Sequence, residues 1–345
     1  MLTSELDFNL PERLIAQRPL TPRDSSRLLA YDRLSGRITH RRLTELPGLL
    51  GPGDLLVFND SRVIKARVLA VKPTGGRVEL LLLKRRQARI WEALVKPSAR
   101  LKPGMVVTAG GLETTAGDSG YPFVLRDRLG GGRWLIANAS RAATADVLEQ
   151  AGETPLPPYI KEKLTDPERY QTVYAARPGS AAAPTAGLHF TLKLINDIKA
   201  AGAAMAPVTL HIGLDTFRPV GEANLARHQI HREYYRVPRE TYEQALAARN
   251  RGGRVIAVGT TSARVLETVF GPEPAALEGE TGLFITPGFK FRSVDGLLTN
   301  FHLPRSTLLA MVMAFAGVDQ TRRLYREAVA REYRFFSFGD AMLAL

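Results

Sequence analysis

Apolar and polar residues alternate with two different spacings along the chain. Apolar residues three or four positions apart predict helices at 143–151, 191–201, 239–251, 261–269, 306–316 and 321–331. Short apolar runs bounded by polar or glycine residues predict strands at 54–58, 208–212, 255–258 and 282–285. Strands that alternate with helices in this way are typical of an α/β domain.

The segment 61–145 has a different pattern. Its β-type runs, such as 78–83 and 91–95, are short and are separated by glycine-containing turns at 74–76, 102–104 and 130–132. The apolar strand at 55–58 needs parallel neighbours, which short strands of this kind do not supply. We therefore predict an α/β main domain, formed by 1–60 and 146–345, that is interrupted by a small, basic, all-β, barrel-like inserted domain at 61–145.

Composition excludes several classes of protein. The chain has 345 residues, 45% of them hydrophobic, which is typical of a globular protein with more than one core. It has no Cys, so that disulfides, thiol nucleophiles and cysteine-based zinc sites are excluded. Residues 1–10 include Glu5 and Asp7 and lack the pattern of a secretory signal, and the apolar stretch 308–318 is too short to span a bilayer. We expect a cytoplasmic protein without a membrane partner, and we interpret 308–318 as a core helix.

The net charge of +13 is concentrated in the predicted β domain. Residues 61–145 contain sixteen Lys and Arg against five Asp and Glu, so this quarter of the chain carries most of the positive charge. An excess of this kind is found on solvated surfaces and on surfaces that bind nucleic acid, and its concentration in one module favours nucleic acid. Arg62, which opens the segment, is a candidate phosphate contact.

Two segments combine small residues with groups that can bind or react. Gly259, Thr260, Thr261 and Ser262 follow the strand at 255–258 and precede a helix, a position where α/β proteins bind anions and nucleotides. A plain helix cap explains part of this pattern, although three hydroxyl residues exceed what capping needs. The small-residue segment 179–191 places His189 close to Gly187, and this histidine is a candidate for proton transfer.

Other polar residues allow alternative interpretations. Asp60 ends the strand at 54–58, where it is either a functional carboxylate or part of an ordinary turn. A metal site would use His228, His231 and Glu233, with His211 and His302 as distant partners. The spacing of these residues lacks the helical HExxH arrangement, so we assign no metal ligands.

Six segments of the chain resemble the S-adenosylmethionine:tRNA ribosyltransferase-isomerase family of queuosine biosynthesis. They are FNDSRVI at 58–64, YQTVYA at 170–175, APTAGLHFT at 183–191, VGTTS at 258–262, NFHLPRSTLL at 300–309 and YRFFSFGDAM at 333–342. The resemblance extends from AQRP at 16–19 to the end of the chain. Two departures are Ser61, where the family usually has Thr, and Asp215, where Gly is expected.

The resemblance implies a transferase that acts on tRNA. It would transfer the ribosyl part of S-adenosylmethionine to 7-aminomethyl-7-deazaguanine at the anticodon wobble position, giving epoxyqueuosine, adenine and methionine. S-adenosylmethionine would be consumed as a substrate, so no cofactor and no metal are expected. The partners would be the tRNA anticodon stem-loop and S-adenosylmethionine, and we expect a monomer.

This chemistry needs a base near the sulfonium, a proton donor for the leaving adenine and a neutral amine nucleophile. We place His189 first for proton transfer, followed by His302 and Asp60. The substrate would contact Gly187, Gly259, Thr260, Thr261 and Ser262, while Arg264 or Arg305 would pair with the methionyl carboxylate. The tRNA phosphates would contact cations of the basic segment, which include Arg62, Lys65, Lys84, Arg85 and Arg86.

Two other classes of function are compatible with part of the pattern. A non-enzymatic RNA-binding factor explains the charge but not the small-residue motifs. A metal-dependent hydrolase that uses the histidines is the other alternative, and a metal analysis of the purified protein would separate it from the transferase.

Overall fold

The computed structural model describes residues 1–110, 120–213, 219–228, 230–272 and 275–345. Asp215, one of the two departures from the family pattern, lies outside the described residues. The chain forms two compact units, one made of Met1–Arg62 with Pro157–Leu345 and the other of Val63–Leu156.

The first unit is built on one large mixed sheet. Its strands are β1 (Arg27–Tyr31), β2 (Ile38–Arg42), β3 (Leu55–Asn59), β13 (Ala204–Leu210), β14 (Glu233–Arg236), β15 (Val255–Val258), β16 (Glu278–Thr281), β17 (Gly296–Asn300) and β18 (Ala341–Ala344). Their order across the sheet is β16-β14-β13-β3-β15-β17-β18-β1-β2. The four central strands, β13, β3, β15 and β17, are parallel. The parallel neighbours predicted for the strand at 55–58 are thereby confirmed.

Helices cover both faces of this sheet. They are α2 (Leu192–Ala200), α3 (Arg239–Asn250), α4 (Thr260–Val269), α5 (Thr307–Ala316) and α6 (Val318–Ala330). Alternate residues of β3 enter different cores, since Leu55 packs in a cluster with residues of α3 to α6 and Leu56 in a cluster with residues of α2. Burial on both faces explains why the central strands are continuous apolar runs.

The second unit is a closed antiparallel barrel. Its strands are β5 (Arg67–Val71), β6 (Arg77–Arg85), β7 (Ile90–Lys96), β8 (Val106–Ala109), β9 (Tyr121–Gly130) and β10 (Arg133–Asn138). They follow the order β5-β6-β7-β10-β9-β8, and β8 pairs with β5 to close the barrel. Strand β4 (Ser61–Val63) lies where the chain passes between the units, and β12 (Arg177–Ser180) belongs to the first unit.

The barrel unit extends further along the chain than predicted and is not entirely β. It ends at Leu156 rather than at 145, and it includes helix α1 (Thr144–Ala151) and the short strand β11 (Gly152–Glu153), which pairs with β5. Val147 and Leu148 of α1 are buried in the barrel core with Trp134. An apolar helix face of this kind stabilises the unit whose core it enters, which explains the later boundary.

The predicted strand at 282–285 is wrong. The strand is β16, which ends at Thr281, because the Thr281 hydroxyl accepts a hydrogen bond from the N–H of Leu283 at 3.1 Å and turns the chain. The interpretation of 308–318 as a core helix is confirmed over Thr307–Ala316, and Val318 starts the next helix. Among the described residues, no helix is both long and apolar enough to cross a membrane.

Candidate functional site

The carboxyl ends of the parallel strands bring several predicted site residues to one edge of the sheet. Asp60 follows β3, Gly259 follows β15 and His302 follows β17 by one intervening residue. This edge is where open α/β sheets bind their ligands.

A cavity of about 300 Å³ opens in the first unit. Polar residues at its wall are Glu222, His228, His231, Glu233, Thr260, Thr261, Arg264 and Thr307, and apolar residues are Leu283, Phe284, Ile285, Leu308 and Met311. Three of the residues predicted to contact substrate, Thr260, Thr261 and Arg264, are therefore brought together. A concave site with a few polar groups and a large apolar wall is typical of small-molecule binding.

Arg264 and Glu233 form a buried ion pair at the cavity wall. Arg264 Nη1 donates to Glu233 Oε2 at 2.6 Å, and Nη2 donates to the carbonyls of His231 and Thr281. Arg264 is 7% exposed, and its Nε has no hydrogen-bond partner among the described residues. Burial lowers the pKa of Arg264 while the charge of Glu233 opposes this change. These three bonds fix the guanidinium, and they leave its Nε–H without a described partner.

Helix α4 begins at the cavity. Its N-cap is Gly259, whose φ of 89° is a conformation that a side chain disfavours. The Thr261 hydroxyl is buried and has no partner within the described part of the chain. Ser262 is different, because its hydroxyl donates to the Val258 carbonyl at 2.9 Å and it is fully buried. Ser262 therefore stabilises the start of the helix, and the structure does not bring it to the cavity.

His189 is enclosed by protein groups. Its Nδ1 lies 2.9 Å from the Ser26 hydroxyl, and its Nε2 lies 3.0 Å from the Asn300 side-chain nitrogen. The Asn300 nitrogen also donates to the Phe336 carbonyl, which identifies it as the amide nitrogen, and an amide nitrogen can only donate. His189 Nε2 is therefore the acceptor, and Nδ1 carries the proton of the neutral ring. Burial lowers the pKa of His189 to about 4. These contacts occupy both ring nitrogens and hold the ring in one orientation.

His302 lies in a comparable environment. Its Nε2 is 2.8 Å from the Thr299 hydroxyl, and its backbone N–H donates to the Tyr325 hydroxyl at 3.0 Å. Burial lowers the pKa of His302 to about 3. Both motif histidines are therefore neutral throughout the physiological pH range, and neither lines the large cavity.

Asp60 is a buried carboxylate with one strong hydrogen bond. Its Oδ1 accepts from the Thr209 hydroxyl at 2.6 Å, and its Oδ2 is 3.9 Å from Arg177 Nε. Burial raises the pKa of Asp60, against the opposing effects of Thr209 and Arg177. A raised pKa makes a carboxylate a better proton acceptor, since the protonated form is stabilised.

Gly187 and Arg305, which were predicted to contact substrate, do not line the large cavity. A Cβ atom at Gly187 would lie 2.2 Å from the Tyr174 hydroxyl, so the glycine allows this tyrosine to pack against the 185–189 turn. Burial raises the pKa of Tyr174 far above its ordinary value. Arg305 is exposed and does not line the cavity, and its carbonyl accepts from the N–H of Val220.

Several predicted RNA contacts are paired with carboxylates. Arg62 pairs with Glu168, Lys65 with Glu149 at 3.0 Å, and Arg86 with Glu92 at 2.7 Å. Arg85 is exposed and donates to the Gln87 carbonyl, and Lys84 is half-buried. Partial neutralisation reduces the attraction of such groups for phosphate.

A second set of barrel cations lies at the opposite strand ends. The antiparallel register places the end of β7, the start of β6 and the end of β9 together, away from Lys84 to Arg86. This set is exposed and, among the described residues, has no ion pair; it comprises Arg77, Lys96, Arg100, Lys102 and Arg126. Sequence inspection missed the difference because pairing depends on the strand register.

The histidines considered for a metal site are not gathered into one. In the described ranges, no group of three or more His, Cys, Asp or Glu side chains has a metal-binding arrangement. His228 instead pairs with Glu222, Glu233 pairs with Arg264, and His211 stacks on Tyr234. Glu222 was missed in the sequence, which carries no local signal for it.

Comparison with known proteins relates the whole chain to one family. The family model described as Queuosine biosynthesis protein matches residues 3–344. Proteins named S-adenosylmethionine:tRNA ribosyltransferase-isomerase from Rubrobacter xylanophilus and Carboxydothermus hydrogenoformans are each 51% identical, over 100% of this chain and 98% and 100% of their own lengths. The crystal structure of an S-adenosylmethionine tRNA ribosyltransferase from Thermotoga maritima is 40% identical, with a TM-score of 0.57 over 99% of this chain and 100% of that one. Because the match extends over practically every residue, the chain belongs to the queuosine biosynthesis protein family.

Proposed function

We propose that the protein is an S-adenosylmethionine:tRNA ribosyltransferase-isomerase. It transfers and isomerises the ribosyl group of S-adenosylmethionine onto 7-aminomethyl-7-deazaguanine at the wobble position of tRNA, and it releases adenine and methionine. The observation that carries this proposal is the 51% sequence identity, over the full chain, to relatives of that name. These relatives also favour it over an RNA-binding factor or a metal-dependent hydrolase.

The cavity suits S-adenosylmethionine. The first N–H groups of α4 have no acceptor within the helix, and the helix dipole favours an anion at this end. The Thr261 hydroxyl and Arg264 Nε add two unused buried groups beside it. The methionyl carboxylate binds at this end of the helix, and the nucleoside packs on the apolar wall that includes Phe284 and Met311.

Asp60 is the base in this proposal. A proton next to a sulfonium is acidified, and a buried carboxylate with a raised pKa can remove it. Asp60 does not line the cavity but follows β3, the strand that pairs with β15 beside the start of α4, so the ribosyl group extends from the cavity toward it in this proposal. His189 and His302 take structural roles, because their rings bond to protein groups and their pKa values of about 4 and 3 leave them weak bases at neutral pH. No cofactor takes part, since S-adenosylmethionine is consumed as a substrate.

The barrel unit supplies the surface for the tRNA anticodon stem-loop. Support comes from the concentration of positive charge between residues 61 and 145 and from the exposed, unpaired cations among its described residues. Phosphate contacts of this type release counterions, so binding weakens steeply as salt rises.

The activity is tested with S-adenosylmethionine labelled in either its ribosyl or its methyl group. With tRNA that carries the aminomethyl base, the ribosyl label should enter the RNA, the methyl label should stay in methionine, and adenine should appear in equal amount. Methyl label in the RNA, or RNA binding without adenine release, would contradict the proposal. Activity that is lost on chelation and restored by a divalent ion would favour the hydrolase.

The RNA surface is tested by replacing two matched sets of three cations. Lys96, Arg100 and Lys102 are replaced by Gln in one variant, and Lys84, Arg85 and Arg86 in the other. We expect the first variant to lose more tRNA affinity and to reduce the salt slope by about 2 to 3, since about one counterion is released per phosphate contact. Equal and unchanged salt slopes in both variants would place the RNA elsewhere.

A further inference from the structure

A histidine and a glutamate form a hydrogen-bonded pair in the wall of the large cavity. His228 Nδ1 lies 2.8 Å from Glu222 Oε2, and both residues line the cavity. The His228 side chain is 22% exposed, whereas His189 and His302 are almost completely buried. Because Glu222 occupies Nδ1, Nε2 is the nitrogen that can exchange a proton with a bound molecule.

The surrounding structure holds this pair in place. The backbone carbonyl of Glu222 accepts from the Thr3 hydroxyl, and the carbonyl of Ala223 accepts from the Thr3 N–H at 3.0 Å. The Asn224 side chain caps the turn at Leu225–Arg227, and the N–H of His228 closes that turn on the Leu225 carbonyl. Residues more than two hundred positions apart therefore fix the pair, as expected for a group that must be oriented.

The pair also borders the apolar part of the cavity. The ring of His228 meets the ring of Phe284 edge to face at 5.6 Å between centroids. A purine that packs against this wall lies within reach of the imidazole, while the start of α4 with Thr261 and Arg264 forms another part of the same cavity. The two parts of the wall match the two ends of S-adenosylmethionine.

We propose that His228, oriented by Glu222, is the general acid that protonates adenine as it leaves, an assignment that rests on the function proposed above. As the bond between the ribosyl C1′ and adenine N9 breaks, its electron pair passes to adenine. The proton comes from Nε2 of the imidazolium to a ring nitrogen of adenine. The imidazole becomes neutral and regains a proton from solvent before the next turnover.

The assignment is tested by His228→Gln in single-turnover measurements of adenine release. We expect the rate to fall by about a hundredfold or more, the usual contribution of a general acid, with S-adenosylmethionine affinity within about threefold of wild type. The matched control is His40→Gln. His40 also pairs with a glutamate, Glu327 at 3.3 Å, but lies outside the cavity, so this variant should keep the wild-type rate.

Two further measurements separate an acid from a structural residue. In His228→Ala, added imidazole should restore part of the adenine release, because the truncated side chain leaves space for it. In Glu222→Gln, adenine release should slow with little change in S-adenosylmethionine affinity, because the amide does not hold the imidazole as the carboxylate oxygen does. The other charged or titratable groups at the cavity, His231, Glu233 and Arg264, are unchanged in both variants.

The outcomes distinguish this inference from the proposed function. A wild-type protein that releases no adenine overturns both. An active wild type whose His228→Gln variant keeps its rate and pH profile overturns the assignment alone. So does a variant that loses S-adenosylmethionine affinity but reacts normally at saturation, since His228 would then only bind the substrate. A loss of rate in His228→Ala without rescue by imidazole, together with a lowered melting temperature, would also count against the acid.

Discussion

Replacing His189 by Gln should change how the stability of the protein depends on pH. The folded state holds His189 neutral with a pKa of about 4, while the unfolded chain has a pKa near 6.5. The unfolded state therefore binds the extra proton first, so stability from this group is present above about pH 6.5 and is lost as pH falls toward 4. Between pH 6.5 and pH 5, the loss is about 2 kcal/mol, at about 1.4 kcal/mol per pH unit.

The variant lacks this titration but gives up a hydrogen bond. The Gln amide oxygen can still accept from Asn300, whereas Ser26 loses its partner, at a cost of about 1 to 3 kcal/mol. At pH 8, we expect the variant to have a lower free energy of unfolding than the wild type. At pH 5, this difference in free energy of unfolding should be smaller by about 2 kcal/mol. His302 and the carboxylates titrate in both proteins and cancel in the comparison.

The measurement is denaturant unfolding of both proteins at several pH values from 8 to 5, together with single-turnover rates. Parallel stability curves would refute the buried, neutral histidine. If His189 were the catalytic base, the variant would retain its stability and lose about a hundredfold or more in rate. We expect the rate per folded molecule to change by less than about tenfold, because the ring stabilises the folded state and does not transfer the proton.

Three further changes test other parts of the site. Asp60→Asn should reduce single-turnover rate by about a hundredfold or more with little effect on S-adenosylmethionine binding, and an active variant would exclude Asp60 as the base. Thr261→Val keeps the shape of the side chain and removes its unpartnered hydroxyl, so calorimetry should show weaker S-adenosylmethionine binding by about 1 kcal/mol or more, and unchanged affinity would place the ligand elsewhere. Gly187→Ala should lower the melting temperature, because its Cβ would meet the Tyr174 hydroxyl at 2.2 Å, and Tyr174→Phe in the same chain should recover part of the loss, since it removes the clashing oxygen.

The helices could be predicted closely because their signals are local. Thr191 and Ser306 cap α2 and α5 with hydrogen bonds to backbone N–H groups three residues ahead, and the apolar spacing begins beside each cap. The wrong prediction of a strand at 282–285 also has a local cause. Leu283, Phe284 and Ile285 are apolar because they line a cavity, and a run of apolar residues does not distinguish a cavity wall from a strand.

The candidate site was harder to predict, since its chemistry depends on residues far apart in the sequence. The motif around His189 singles out a histidine beside a glycine, but Ser26 and Asn300, 163 and 111 residues away, determine its orientation and its tautomer. His228 is the opposite case, because no sequence motif singles it out and yet it lines the large cavity. It lies in a loop with no helical ligand spacing, yet it pairs with Glu222 inside the cavity because Thr3 holds that loop. A sequence motif identifies a residue that the fold requires, while proton transfer also requires access to the ligand. His228 lines the large cavity, and its Nε2 has no hydrogen-bond partner among the described residues, whereas His189 borders only a smaller cavity and has both ring nitrogens bonded to Ser26 and Asn300.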